Sequence, residues 1–320
     1  MTAPARQPWL SVIMPTHAGE DWIDASLESL VAHGAPGIEV IVLDSSPDAA
    51  TLDRVARFRD RLDLRAIDPQ GLVMWHEKTN AGTRAARADH VCWLHQDDLW
   101  LPGRASALRR WIKADPAAVL HIANSVIVDR DGRSMGVWKC PFAAAAEGRI
   151  DPDVLLQRLL VQNFVATPSP VYRRDAFLAV GGLDESLWYT ADWDLWLKFQ
   201  GAGPVAFHPE ATAGFRIHGN SLTVSGSRSP DDFRQQMRTV LDRHLPRLQR
   251  HQAQVGRAGQ ASIEVNTALA AASAGNLQEV TKAARALLRL TPANWVRFLR
   301  DTRLADRLIP RVRARLAGAF

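Results

Sequence analysis

Cysteine is nearly missing from the chain. Cys92 and Cys140 are the two in 320 residues, which excludes a disulfide framework and any paired-cysteine metal motif and fits a reducing, cytoplasmic compartment. Long apolar runs are missing as well. No stretch approaches the ~18 residues of a membrane span. The N-terminus, MTAPARQPWLSVIMP, has a brief apolar stretch and lacks the longer one, with its small-residue cleavage site, of a secretory signal. No G-x-G-x-x-G follows the first apolar run, which argues against a dinucleotide-binding oxidoreductase. No internal repeat stands out.

What is present begins with an ordinary globular composition, 47% hydrophobic, enough for a full core. The net charge of +5 is unevenly spread. From Asp231 to Phe320 there are 16 Lys+Arg against 7 Asp+Glu, a balance of +9, so the residues before them sum to −4. A basic tail on a mildly acidic body suits an anionic surface such as lipid or nucleic acid. It equally suits the solvated face of Arg-rich helices.

Apolar periodicity predicts alternating strands and helices. WLSVIM (Trp9 to Met14) reads as a buried strand stopped by Pro15. A helix follows with Trp22, Ile23, Leu27, Leu30 and Val31 on its rhythm and Gly34 as its stop. IEVIVLD is a second strand, Leu52, Val55 and Phe58 mark a second helix, and LDLRAID is a third strand. VLHIANSVIVDRDG reads as two short strands with Asp131-Gly132 at a turn. DPDVLLQRLLVQN and WDLWLKFQGAG read as helices, and PVAFHPEATAGFRIHG as two more strands. From Pro230 onward the pattern is helical. This alternation predicts an α/β fold: a single domain on an open, mainly parallel sheet, with a C-terminal helical extension. The polar run SGSRSPDD places the boundary between residues 1–228 and 229–320.

In such sheets ligands gather beyond the carboxyl ends of the strands. Asp44 ends one apolar run, and Asp97 and Asp98 follow another, in CWLHQDD. Two adjacent carboxylates repel and resist losing water, unless a divalent cation such as Mg²⁺ or Mn²⁺ shares them. A solvated turn or a helix start accounts for a bare acidic pair equally well.

Order along the chain adds context. LSVIMPTHAG, IEVIVLDSSPD, DPQGLVMWHEKTNAGTRAARADHVCWLHQDD, VYRRDAFLAVGGLDESL, ADWDLWLK and FRIHGNS together resemble the inverting family-2 glycosyltransferases of the GT-A fold, over residues 9 to 224. The resemblance implies a metal-dependent hexosyl transfer from a nucleotide-diphosphosugar to a glycan or lipid-linked acceptor, in bacterial cell-surface polysaccharide synthesis. It implies a cation (Mg or Mn) held by Asp97 and Asp98, with His218 near it and Asp97 beside the donor diphosphate. His95 stands where many relatives carry Asp or Asn. It further implies that Pro15 and Thr16 form the first nucleotide loop and that Asp44 recognises the base.

An aspartate accepts a hydrogen bond from a ring N–H, which uracil, thymine and guanine offer and cytosine lacks. The expected donors are therefore of the UDP, dTDP or GDP type. Gly71, Asn80 and Gly82 resemble a G-x-x-x-A-x-N-x-G pattern without its alanine, which implies Asn80 at the nucleotide-sugar. In TADWDLWLK, Asp192 matches the family's general base, with Ala191 in place of a glutamate. No nucleic acid is implied, and the basic tail is expected to meet an anionic membrane from its inner face.

Each of these residues has a plainer use. Asp44 could form an Asx-turn into Ser45-Ser46, Asp192 or Asp194 could serve a helix start, and His218 could be a packed polar group. Trp188 is a candidate for acceptor stacking, and Arg173-Arg174 for an anionic acceptor. A non-catalytic sugar-nucleotide or glycan-binding module on the same fold is the alternative, favoured by the departures at His95 and Ala191.

Overall fold

The computed structural model describes residues 7–218, 229–273, 277–306 and 308–309. Its strands are β1 (Leu10–Thr16), β2 (Ile38–Asp44), β3 (Asp63–Ala66), β4 (His90–Trp93), β5 (Leu99–Trp100), β6 (Leu120–Val128), β7 (Ser134–Trp138), β8 (Gly148–Arg149), β9 (Val171–Arg173) and β10 (Val205–Arg216). They form one sheet in the order β3-β2-β1-β4-β9-β6-β10-β5, with β7 beside β6 and β8 beside β10. Neighbours β3, β2, β1 and β4 run parallel, as do β6 and β10. β5, β7, β8 and β9 pair antiparallel, so the sheet is mixed where the alternation predicted a mainly parallel one.

β1 is buried along its whole length, as expected of a central strand covered on both faces. Leu10, Val12 and Met14 face one way, onto a core shared with the helices Ile23–His33 and Arg104–Ala114. Ile13 faces the other, onto a larger core built with the helices Pro152–Val161 and Ala191–Ala202. Phe233, Met237, Val240 and Val255 of the C-terminal helices join that same core. The extension is therefore packed on the sheet domain, and the boundary drawn at residue 228 lies outside the described residues.

Three local expectations are corrected. β1 runs through Pro15 to Thr16. Ile13 accepts from Leu94 on the β4 side, and Pro15, two residues on, faces that same side beyond the end of β4, so its missing N–H leaves no ladder bond unmade. The stretch read as two strands before Asp131 is the single β6, with the turn between it and β7. The two strands expected in PVAFHPEATAGFRIHG are the single β10, whose register shifts at His208/Ala211 and Ala211/Gly214 absorb the Pro and Gly.

Candidate active site

β1, β2 and β4 end side by side, and the chain at the ends of β1 and β4 supplies polar groups to one cleft of about 460 Å³. Thr16 pairs with Asp44 across the last β1–β2 step, and its hydroxyl donates to Asp44 Oδ1 at 2.6 Å. Ser46 Oγ donates to the same oxygen at 2.7 Å, and the Ser46 N–H donates to Asp44 Oδ2 at 3.3 Å, so the Asx-turn geometry is also present. Lys78, from the helix Trp75–Ala85, reaches under both loops and donates to Thr16 O at 2.6 Å and Ser45 Oγ at 2.7 Å. Burial pushes its pKa down to about 8, against the pull of the Asp44 charge. Gln96 ties the acidic loop to the loop after β1, its side chain bonding the His17 N–H at 2.8 Å and the His17 carbonyl at 3.0 Å.

The acidic pair is held from two sides. Asp98 is 2% exposed and accepts from the Arg216 N–H at 3.0 Å. Burial, then the neighbouring Asp97 charge, hold its carboxyl well above the usual range. Asp97 accepts from His218 Nε2 at 2.8 Å. Burial alone would raise its pKa, but that hydrogen bond and the nearby histidines hold it below normal. Arg216 also donates to the Asp97 carbonyl at 2.7 Å, so the end of β10 clamps the motif. Among the described residues, the ligand-type atoms of His95, Asp97 and Asp98 all lie within 4.8 Å of one another. Among the described residues, His95 Nε2 and His218 Nδ1 are buried without a hydrogen-bond partner, and burial lowers the His95 pKa, favouring the neutral imidazole. A neutral imidazole with a free nitrogen beside two carboxylates fits a divalent cation. His218 touches this group through Asp97.

Asp192 stands in the first turn of Ala191–Ala202 and lines the same cleft. Its Oδ1 accepts the Trp193 N–H at 2.7 Å and its Oδ2 accepts Asn163 Nδ2 at 2.9 Å. Burial pushes its pKa up to about 6, and those two hydrogen bonds pull against the rise. Asp194, two residues on, is fully buried. Although burial alone would raise its pKa, His244 and Lys198 hold its carboxyl far below the usual range. It ties the helix to His244 and Arg243, pairs with Lys198 one turn along the same helix, and is out of reach of a ligand.

Of the residues singled out from sequence, Pro15, Thr16, Asp97, Asp98, Asp192 and His218 line one cleft. Asp44 lies just behind Thr16. Asn80 does not line the cleft, and its side chain is engaged by the segment after Gly182. Its amide donates to Leu183 O and Glu185 Oε1, both at 2.9 Å, and accepts from the Leu183 N–H at 2.9 Å. Gly182 meets it closely: at φ +69°, a Cβ there would sit 2.7 Å from Asn80 Oδ1. Gly82 has a comparable reason, since a Cβ would reach Ile13 of β1 at 2.6 Å. Asn80 and Gly82 thus serve the packing of that stretch.

Trp188 is also absent from the cleft lining, and its indole donates to Asp232 at 2.8 Å. Arg173 pairs with Asp175, and Arg174 donates to the carbonyls of Thr83 and Arg84. Lys78 and Asn163 carry no signal in the sequence that singles them out. Lys78 shares a buried helix face with His76, Thr79 and Asn80, polar residues that give no apolar rhythm to follow.

Comparison with known proteins points one way. The profile described as Glycosyl transferase family 2 matches residues 11–177, just over half of the chain. An uncharacterized glycosyltransferase of Rickettsia typhi is 25% identical over 237 residues, 71% of this chain and 69% of its own length. The 1–349 fragment of TarS from S. aureus, solved with UDP-GlcNAc, superposes with a TM-score of 0.65 at 19% identity, covering 91% of this chain and 79% of that one. Against the longer TarS structure the match covers 79% of this chain and 43% of that one. The mannosyltransferase PcManGT from Pyrobaculum calidifontis, solved with GDP-Man and Mn²⁺, gives a TM-score of 0.56 at 17% identity, covering 97% and 87%.

Proposed function

The chain belongs to glycosyl transferase family 2, and on that premise we propose that it is a metal-dependent, inverting hexosyltransferase with Asp192 as its general base. It transfers sugar from a nucleotide-sugar. The observation that carries the finer reading is that Asp192 opens into the same cleft as the His95-Asp97-Asp98 group and the Pro15-Thr16 loop. Single displacement needs a base on the acceptor side and charge stabilisation on the leaving-group side. Asp192 takes the proton of the acceptor hydroxyl as its oxygen bonds to the anomeric carbon. The bond from that carbon to the diphosphate oxygen breaks, and configuration inverts. A divalent cation held by His95, Asp97 and Asp98 would neutralise charge on the departing diphosphate.

For the donor, Asp44 Oδ2 accepts, among the described residues, only the Ser46 N–H, at 3.3 Å, and keeps a lone pair for a base N–H. UDP, dTDP and GDP sugars offer one, and the donors bound by TarS and PcManGT are of this type. The acceptor is a glycan or lipid-linked sugar of the bacterial cell surface. Release of nucleoside diphosphate from a panel of such donors with Mn²⁺ tests the proposal. Donor binding with no turnover for any acceptor would favour the non-catalytic alternative.

Asp192 must be ionised to work. With its pKa pushed up to about 6, kcat/KM should fall on the acid side below about that pH. The Asn163 hydrogen bond favours the ionised form, so Asn163→Ala should move the acid limb to higher pH. A pH–rate profile checks this, and an unmoved limb would refute the contact's role.

His95 bears on the choice of metal. An imidazole beside carboxylates favours first-row transition ions over Mg²⁺ relative to an all-oxygen set. His95→Asp should therefore narrow the preference for Mn²⁺ over Mg²⁺. Metal titration by calorimetry, without donor, reads it directly, and an unchanged ratio would remove His95 from the ligand set.

A further inference from the structure

A second cavity lies back to back with the catalytic cleft across one helix. Gln252–Ser273 presents Ser262, Ile263 and Asn266 to the cleft, while its opposite face presents Arg257, Gln260 and Glu264 to a cavity of about 810 Å³. The helix Pro230–His244 closes one side of this cavity and Gln278–Leu288 another. Six cationic side chains line it, Arg234, Arg238, Arg257, Lys282, Arg285 and Arg289, against the carboxylates of Asp242 and Glu264.

The charges divide into a framework and a remainder. Arg234 is 6% exposed and is ion-paired with Asp231, Glu264 and Glu279. Arg238 shares Glu264 at 2.9 Å, and Lys282 shares Glu279 at 2.9 Å. These pairs join the three helices into a neutralised floor. Arg257, Arg285 and Arg289 have no carboxylate partner among the described residues, and the Asp242 carboxylate also stands outside these pairs, which leaves an excess of two positive charges in the lining. Arg285 and Arg289 stand four apart, one turn apart at the end of one helix, where like charges destabilise. On a convex surface water would screen them. Here they surround a concavity with Leu241, Ala261, Ala286 and Leu290 in its wall, where low-dielectric surroundings focus the field.

We propose that this cavity binds a phosphate-bearing anion, a pyrophosphate or phosphodiester group, at a site separate from the catalytic cleft. Planar guanidinium forks match phosphate oxygens in pairs, and three unpaired forks supply six or more such donors (roughly five N–H per Arg). The volume lies within the usual ligand-site range of about 300–1,000 Å³ and exceeds what one phosphate fills. An anion here would offset the repulsion the arginines leave among themselves. The inference rests on the helical region alone and not on the reading of Asp44, Asp97 or Asp192.

The test uses the full chain in EDTA, so that no metal draws the probe to the acidic loop. Inorganic pyrophosphate should bind saturably by calorimetry and weaken as salt screens the charges. The triple variant Arg257→Glu/Arg285→Glu/Arg289→Glu changes exposed side chains only, and should lose about tenfold or more in affinity. Arg285→Gln/Arg289→Gln is the milder check should the triple variant unfold. Asp97→Ala should bind pyrophosphate as the parent does.

Vesicles of phosphatidylglycerol distinguish the source. Pyrophosphate binding without vesicle binding assigns the anion to a soluble phosphorylated molecule. Vesicle binding that the triple variant loses, without pyrophosphate binding, assigns it to lipid headgroups. Equal binding of parent and variant, no binding of either probe, or loss of pyrophosphate binding in Asp97→Ala would overturn the proposal.

Discussion

Asp192→Asn is expected to lower turnover by about 10²–10⁴-fold, the usual contribution of a general base, while donor affinity stays near that of the parent. The substitution keeps the side chain's shape and the oxygen that accepts the Trp193 N–H at 2.7 Å, so the helix start survives. It replaces the oxygen facing Asn163 Nδ2 with a donor, which costs that hydrogen bond, about 1 kcal/mol. Burial already disfavours the ionised carboxyl there, so a neutral amide offsets part of the loss and folded stability should change little. Turnover measured with a reacting acceptor, beside donor titration and thermal unfolding, separates base from helix cap. Retained turnover would sink the assignment. Suspicion could not then pass to Asp194, which is fully buried and held by His244, Arg243 and Lys198.

Asp97→Ala should carry the second large loss, about 10²–10³-fold in kcat/KM, as befits the several kcal/mol of charge stabilisation a bound cation supplies. Unlike the base variant, it should also weaken diphosphate binding and make the remaining binding insensitive to EDTA. The loss reaches beyond the cation. Asp97 engages His218 Nε2 at 2.8 Å, and removing it strands a histidine whose Nδ1 already has no partner among the described residues. Asp98 would at the same time lose the neighbouring charge that raises its pKa, and should ionise more readily. Donor titration in Mn²⁺ and in EDTA, on parent and variant, decides the matter. Equal donor affinity with and without EDTA in the parent would remove the metal role.

The parts legible in advance were those whose cause is local. Apolar runs ending at Asp44 and before the Asp97-Asp98 pair announce buried parallel strands, because a strand covered on both faces must be apolar throughout. Trp193 and Trp196 read as core from helical spacing, and both are buried. Where a cause lay in a neighbouring strand, local pattern misled: Pro15 stays in β1 because β4 has already ended, and the Pro and Gly of β10 are absorbed by bulges against β6.

The same division runs through the site. Motif order in the sequence sufficed for the family-2 glycosyltransferase fold and for the carboxylates at strand ends, since strand direction alone places Asp44 and Asp97-Asp98 on one edge of the sheet. Tertiary structure alone decided which polar side chains face the cleft and which hold the frame. Asn80 turned out to brace Gly182 and Leu183, Lys78 to lie beneath the end of β1, and His95 to stand beside both carboxylates. Residue type and spacing do not specify the direction of a polar side chain on a buried helix face. That direction is set by which distant backbone groups need a partner once the chain has closed around them.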